Sequence, residues 1–238
     1  MGIEEERNAI QDMLSLRDPA DALIAYYALY HDARRTRLTV HRTESGQVDG
    51  FLAECVTGFD LFRPQVVLRA LSEDTARHLL QVGLKAGRPY FFIVPLQIAP
   101  ALKEMLEISQ EAVARIYHLN PLDFQPIINV LVTQNEGADG WPRFEIRSQG
   151  KVAAASGINW RSPRFAEVYV LAEVEARGRG WARSVLSACT AHLLKEELIP
   201  LYMVEEDNSA SIKLAESVGY QDTGRRCFTC SGMLRFDS

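Results

Sequence analysis

A glycine loop between a predicted strand and a predicted helix constrains the fold of this chain more than any other feature. The loop reads Arg177-Gly178-Arg179-Gly180-Trp181-Ala182. Glycines let a backbone approach a ligand closely, and the first free amides of a helix carry the positive end of its dipole. With two arginines beside these amides, the loop is suited to bind an anion such as a pyrophosphate. Taken alone, the loop is equally a tight strand-to-helix turn with two solvated arginines.

A second motif follows the loop after one further predicted strand. The stretch from Asp207 to Tyr220 indicates a capped helix that ends in a glycine and an aromatic residue. Together the two motifs resemble the GNAT superfamily of acyl-CoA-dependent N-acyltransferases over about residues 144–224, and its FR47-like branch most of all. The matching positions are Arg177, Gly180 and Ala182 in the loop, and Asn208, Ser211, Gly219 and Tyr220 in the helix.

The resemblance implies a fold and a cofactor site. The fold is α/β (α+β), a mixed central sheet flanked by helices, in which the strand from Phe165 diverges from the strand that begins at Leu201. Backbone groups of Val170, Leu171 and Ala172 are expected to pair with the pantetheine arm of acetyl-CoA as an added strand does. The remaining cofactor contacts are expected at Arg177, Gly178, Arg179, Gly180, Trp181, Ala182, Asn208, Ser211 and Lys213. Lys213 is equally well explained as a solvated helix residue.

The resemblance also implies a reaction, the direct transfer of an acetyl group from acetyl-CoA to a primary amine of a small molecule or peptide. The amine must be neutral to attack, so a carboxylate or a water chain takes its proton. Glu167 is the candidate base, with a plain surface carboxylate as the alternative role. Glu205 and Glu206 end the facing strand and are further candidates.

One position departs from the pattern of the family. Relatives usually carry a tyrosine that protonates the leaving thiolate where this chain has Ala215. Either Ser211, Tyr220 or a water substitutes, or the thiolate leaves unaided, or the domain binds CoA without turnover. An acyl-CoA sensor or interaction module therefore remains an alternative to an N-acetyltransferase, as does an acyltransferase that uses a longer acyl-CoA.

The N-terminal half repeats the element order of the family without its glycine loop. The predicted elements are two helices in the first forty residues, a hairpin of Thr36 to Val40 and Val48 to Cys55, a strand from Gln65 to Ala70, a helix from Ser72 to Leu84, a strand from Tyr90 to Leu96, a helix from about Pro100 to Leu119 and a strand from Ile127 to Thr133. We expect a degenerate GNAT-like domain over residues 1–134 and a C-terminal GNAT domain over residues 141–238, joined by the polar loop of residues 135–140. The alternative is one extended domain in which the N-terminal half only forms one wall of the substrate site.

Charge and cysteine content narrow the classes of partner. The chain has a formal net charge of −5, which disfavours nucleic acid as a partner. Residues 1–140 carry 13 basic and 19 acidic side chains, a surplus that suits a cationic acceptor. Cys227 and Cys230 have the spacing of one half of a zinc site, but the four cysteines include no second such pair. The five histidines are scattered without ligand spacing, so no metal is expected. The sequence has no signal-like leader and no long apolar run, which predicts a cytoplasmic protein without membrane contact.

Overall fold

The protein divides into two compact units in the computed structural model, which describes residues 2–58, 60, 62–137, 140–176 and 178–236. Unit 1 is Met1–Ala114 with Arg226–Ser238, and unit 2 is Arg115–Arg225. The division therefore lies near Arg115 and not in the loop of residues 135–140. The last residues of the chain belong to unit 1 because they pair with one of its strands.

The elements alternate between strands and helices along most of the chain. The α-helices are α1 (Ile3–Ile10), α2 (Ala22–Ala25), α3 (Glu73–Gly83), α4 (Ala99–Met105), α5 (Trp181–Lys195) and α6 (Ser209–Val218). The strands are β1 (Thr36–Arg42), β2 (Val48–Cys55), β3 (Gln65–Ala70), β4 (Pro89–Pro95), β5 (Leu106–Leu119), β6 (Thr133–Glu136), β7 (Pro142–Ser148), β8 (Lys151–Arg161), β9 (Phe165–Ala172), β10 (Ile199–Glu205) and β11 (Tyr220–Leu234). A π-helix, Tyr26–Tyr30, follows α2, and short 3₁₀ turns include Leu96–Ile98 and Val174–Ala176.

Unit 1 is a mixed sheet with helices packed on it. Its strands lie in the order β1, β2, β3, β4, β11 and β5. The pair β3 and β4 is parallel, whereas β1 with β2, β2 with β3 and β4 with β11 are antiparallel. Helix α3 approaches β2 so closely that a β-carbon at Gly50 would lie 2.5 Å from the Thr75 Cγ2 atom. Glycine is therefore the residue that lets this helix pack against the sheet.

Unit 2 repeats the strand and helix order of unit 1. The series β7, β8, β9, α5, β10, α6, β11 matches the series β1, β2, β3, α3, β4, α4, β5. Its strands lie in the order β11, β5, β10, β9, β8, β7 and β6, and the pair β9 and β10 is parallel. Apolar side chains of α5, including Val185, Leu186, Cys189 and Leu193, pack with Val168 of β9 in one buried cluster. The predicted mixed sheet flanked by helices is thus confirmed.

Three predicted elements differ from the structure. The predicted helix from Pro100 to Leu119 was wrong beyond Met105, where α4 ends, because Leu106–Leu119 is the strand β5. Gln110 has a φ of +59°, and this irregularity interrupts the alternation that would have identified a strand. The predicted strand from Ile127 to Thr133 was also wrong, since β6 is Thr133–Glu136 and shares only Thr133 with it. Residues of the predicted linker pair instead within the β6–β7 hairpin of unit 2.

Among the described residues, no helix has both the length and the apolar character needed to cross a bilayer.

The packing of α3 can be tested with two substitutions on the same helix. Leu79 is fully buried in the core of unit 1, whereas Val82 is 53% exposed. We expect Leu79→Ala to lower the free energy of unfolding by about 2–5 kcal/mol, because it leaves a cavity in the core. Val82→Ala should change it by less than about 0.5 kcal/mol. Urea denaturation followed by circular dichroism measures both values, and equal effects would contradict this packing.

Candidate active site

The two parallel strands of unit 2 separate partway along their length. Strands β9 and β10 pair only from Phe165 to Glu167, opposite Ile199 to Leu201. Beyond this point β9 continues to Ala172 with β8 on its other edge. The backbone edge of β9 that faces away from β8 is thus open toward a ligand along the last part of the strand. The predicted divergence of these strands is present.

The predicted pantetheine contacts lie on this open stretch of β9. Val170 is half-buried and packs against the core, whereas Leu171 and Ala172 are exposed. Their opposite edge is bonded to β8, where Ser156 pairs with Val170 and Ala154 pairs with Ala172. An extended ligand is able to pair with the free edge as a further strand does.

The glycine loop places an uncapped helix end beside this opening. Gly178 and Gly180 both have a φ of +71°, and a β-carbon on either would meet no atom within 4 Å. Gly180 is the N-cap of α5 and offers no side-chain cap. The first helical bond runs from the Ser184 amide to the Gly180 carbonyl at 3.0 Å, which leaves the amides of residues 181–183 directed outward. This helix end favours an anion.

Side chains of the loop add further contacts. The Arg179 guanidinium lies 4.8 Å from the centre of the Trp181 ring, a cation–π contact that orients both side chains. Arg183 donates through Nε and Nη2 to the Ser217 carbonyl at 3.1 and 2.8 Å, which connects α5 to the end of α6. Ala182 is half-buried in the first turn of α5. Arg177, the first residue of the predicted motif, lies outside the described residues.

Helix α6 presents the second predicted motif. The Asn208 Oδ1 atom accepts a hydrogen bond from the Ser211 amide at 3.1 Å and caps the helix. This leaves the Asn208 amide nitrogen to donate to a ligand. Lys213 is exposed on the helix surface, and Gly219 ends the helix with a φ of +105°. The left-handed geometry at this end explains why glycine precedes the aromatic Tyr220.

The helix of unit 1 that corresponds to α5 in element order is capped from within the chain. In this unit, strand β3 is joined to α3 by Leu71 and Ser72 alone. The Ser72 hydroxyl accepts a hydrogen bond from the Thr75 amide at 3.1 Å and so caps α3 from within the chain. The 3₁₀ turn Leu96–Ile98 contacts β3. An anion would have to displace this cap, whereas the helix end at Gly180 is open.

Glu167 lies at the point where β9 and β10 separate. Its side chain is nearly fully buried, and the Asn159 Nδ2 atom donates to Oε1 at 2.9 Å. The Trp160 indole N–H donates to Oε2. Burial raises the pKa of the Glu167 carboxyl above its ordinary value, and the two donors oppose that rise. The prediction of a plain surface carboxylate does not describe this residue.

Ala215, the position where the family resemblance implies a tyrosine, lies in the same buried cluster as Tyr202. Ala215 is fully buried, and in the same cluster the Tyr202 hydroxyl lies 2.8 Å from the Ser211 Oγ atom. Burial raises the pKa of Tyr202, so its hydroxyl stays protonated at neutral pH. Tyr220 is buried and its hydroxyl is bonded to Thr190 at 2.8 Å, which makes it a poor substitute donor.

Sequence reasoning missed Asn159, Trp160 and Tyr202. Each of them is an ordinary strand residue in the sequence, and no motif distinguishes it. The acidic candidates at the end of β10 differ from Glu167, because Glu205 is exposed and Glu206 pairs with Arg115 at 3.4 Å. Within the described part of the chain, no group of three or more His, Cys, Asp or Glu side chains is placed to hold a metal ion.

Comparison with known proteins shows which fold this chain shares. Residues 147–229 match the family model of the FR47-like proteins. A putative GNAT-family acetyltransferase from Novosphingobium aromaticivorans is 18% identical with a TM-score of 0.61, over 78% of this chain and 89% of that chain. No curated protein matches the sequence.

Two further solved structures cover nearly the whole chain. A GCN5-related N-acetyltransferase-like protein from Streptococcus suis is 13% identical with a TM-score of 0.62, over 96% of this chain and all (100%) of that chain. A tandem GNAT protein from the clavulanic acid biosynthesis pathway is 14% identical with a TM-score of 0.60, over 100% of this chain and 98% of that chain. The protein therefore has the GNAT acetyltransferase fold. Its resemblance to the FR47-like branch is confirmed over residues 147–229.

The buried state of Glu167 has a consequence for stability. Because its pKa is raised in the folded state, Glu167 stabilises the fold in its protonated form and costs free energy in its ionised form. The stabilisation by the protonated form is fully present below pH 4.5, the ordinary pKa, and is lost as the pH rises through the folded-state pKa. We expect the wild type to lose stability relative to Glu167→Gln over that rise, by about 1.4 kcal/mol for each unit of pKa difference. Urea denaturation of both proteins at several pH values measures this, and the packing cost of the amide cancels from the slope. A difference that stays constant with pH would contradict the raised pKa.

Proposed function

We propose that this protein is a cytoplasmic N-acetyltransferase that moves an acetyl group from acetyl-CoA to a primary amine of a small molecule or peptide. The observation that carries the proposal is the uncapped end of α5 at Gly180, next to the open edge of β9 and the buried carboxylate of Glu167. Fold and family model support acyl transfer as the reaction class. The net negative charge of the N-terminal half supports a cationic acceptor.

The open end of α5, the free edge of β9 and the Asn208 cap supply the groups proposed to contact acetyl-CoA. The amides of residues 181–183, with Gly178 and Arg179, hold the pyrophosphate. The free edge of Val170 to Ala172 pairs with the pantetheine arm, and the Asn208 amide nitrogen donates to it. Lys213 is exposed on α6 and within the same unit, which suits a contact with a phosphate. No metal takes part in this proposal.

The proposed chemistry uses groups at the separation of β9 and β10. When bound, acetyl-CoA supplies a thioester carbonyl that a neutral amine attacks. Glu167 accepts the proton that the amine nitrogen loses, and its raised pKa makes it a better base than an ordinary carboxylate. The Ser211 hydroxyl, backed by Tyr202, donates to the sulfur as the C–S bond breaks. Glu167 then releases its proton to solvent, and solvent returns one proton to the Ser211 and Tyr202 hydroxyl pair, so that in sum one proton passes from the amine to the thiolate.

Unit 1 is proposed to be a degenerate GNAT-like unit that does not bind CoA. Its element order and its parallel pair β3 and β4 match those of unit 2. The Ser72 cap occupies the helix end that would bind an anion, and the turn at Leu96–Ile98 lies against β3. This proposal predicts one CoA site in the chain.

Calorimetry with acetyl-CoA tests the cofactor site. We expect one site per chain and a loss of affinity of at least about 100-fold in Gly180→Glu, because a carboxylate would occupy the anion site and repel the pyrophosphate. Gly150→Glu is the matched control, since Gly150 also has a positive φ, +78°, and no atom within 4 Å of a β-carbon, but lies in the β7–β8 turn. The control should bind as the wild type does. The proposal is contradicted if the wild type does not bind acetyl-CoA, or if both variants lose affinity for it equally.

Thiol release tests turnover and the role of the hydroxyl pair. On a panel of primary amines, we expect the wild type to release CoA thiol with at least one acceptor. Tyr202→Phe should lower kcat by about 100-fold, which is at the lower end of general-acid effects. The affinity for acetyl-CoA, measured by calorimetry, should stay within about threefold of the wild-type value. Tyr30→Phe, at an exposed position of unit 1, serves as the control. Tight binding with no release on any amine would favour a sensor, and an unchanged kcat in Tyr202→Phe would remove the hydroxyl pair from the mechanism.

A further inference from the structure

A bulge in β8 lies directly opposite Glu167. Ile158 pairs with Val168 and Trp160 pairs with Glu167, so Asn159 is an extra residue with no partner on β9. Consecutive side chains of a regular strand point to opposite faces, and only one of them is able to reach a given neighbour. The bulge removes this restriction, and the side chains of Asn159 and Trp160 both donate to the same carboxylate.

These two donors account for both oxygens of the carboxylate. Asn159 Nδ2 binds Oε1 and the Trp160 indole N–H binds Oε2. Within the described part of the chain, no Lys, Arg or His forms a salt bridge with Glu167. The negative charge of this buried group is therefore stabilised by neutral N–H donors. Without them, burial alone would keep the group protonated and unable to accept a proton.

The titratable neighbour on the adjacent strand does not supply a counter-charge. Tyr202 of β10 interacts electrostatically with Glu167, and burial together with that interaction raises the pKa of its hydroxyl. It stays neutral at any pH where the reaction would be measured. The Trp160 side chain is almost fully buried, which fixes the direction of its N–H. The donor geometry is thus set by the packing of β8 and not by solvent.

We infer that Asn159 and Trp160 are positioning residues for acyl transfer, and that the β8 bulge exists to hold the Glu167 carboxylate ionised and aimed at the opening between β9 and β10. This inference rests on the proposed function, because it assigns Glu167 as the base. The base takes one proton from the amine nitrogen while the new C–N bond forms, and the two donors stay protonated throughout. Their role is to set the pH above which the Glu167 carboxylate is ionised and able to accept a proton.

Two variants test this role. Trp160→Phe keeps a ring in the core and removes one N–H, and Asn159→Ala removes the other donor. Each loss destabilises the ionised form, so the pKa of Glu167 rises. We expect the midpoint of the Glu167 carboxyl resonance, in protein labelled with ¹³C-glutamate, to move up by about one pH unit in each variant. The resonance is assigned by its disappearance in Glu167→Gln.

The pH dependence of turnover gives the second readout. The assay uses the amine that gives the fastest thiol release. The acid limb of the pH profile of kcat/KM should move up by the same amount in each variant. At pH values below the limb kcat/KM then falls about tenfold, and at pH values above the limb it stays within about threefold of the wild type. Trp141→Phe, in the turn after β6, is the control and should move neither readout. An unmoved resonance in folded variants overturns the inference. A moved resonance with an unmoved acid limb overturns it as well.

Failure of the proposed function gives a different result. If the wild type releases no thiol with any amine, then the enzymatic proposal fails, whatever the resonance does. If Glu167→Gln turns over with an unchanged pH profile, then Glu167 is not the base and the positioning role of Asn159 and Trp160 fails with it. A merely structural role for Trp160 would lower stability and leave both pH midpoints where they are in the wild type.

Discussion

The short ladder between β9 and β10 is the constraint on which the proposed site depends. Three residue pairs hold the strands together, and the ladder ends at Glu167 and Leu201. Because the strands separate there, one edge of β9 is left open and the glycine loop at its end faces the same gap. A longer ladder would satisfy this edge internally and remove the place where an extended ligand pairs. The candidate base lies at the last paired position, at the apex of the opening.

The two units differ locally at the helix end where an anion is proposed to bind. Both have the same element order and a parallel pair of strands at the same place. In unit 2 a glycine begins the helix and leaves its first amides open, whereas in unit 1 a serine hydroxyl already binds one of them. The proposed anion site of unit 2 therefore depends as much on the absence of a cap as on the presence of glycine.

The strength of each local signal explains which elements the sequence predicted. The hairpin of β1 and β2, the strand β3 and the capped helices α3 and α6 were confirmed within one or two residues. Each combines clear periodicity with a turn or cap residue. Strand β5 was mistaken for helix because its alternation is interrupted at Gln110 and it follows a real helix with no glycine or proline between them. Its partner β11 is more than a hundred residues away, and pairing at that distance leaves no local signal.

The sequence by itself determined the glycine loop, the capped helix α6 and, through them, the class of fold. These are local features, set by backbone freedom at Gly178 and Gly180 and by the side-chain cap at Asn208, and they need no distant partner. Only the tertiary structure decided the environment of Glu167. Asn159 and Trp160 reach it through a bulge on a neighbouring strand, and Tyr202 and Ser211 meet across a strand and a helix. Burial and hydrogen bonding of this kind depend on which strands are adjacent, and strand adjacency is a property of the folded chain.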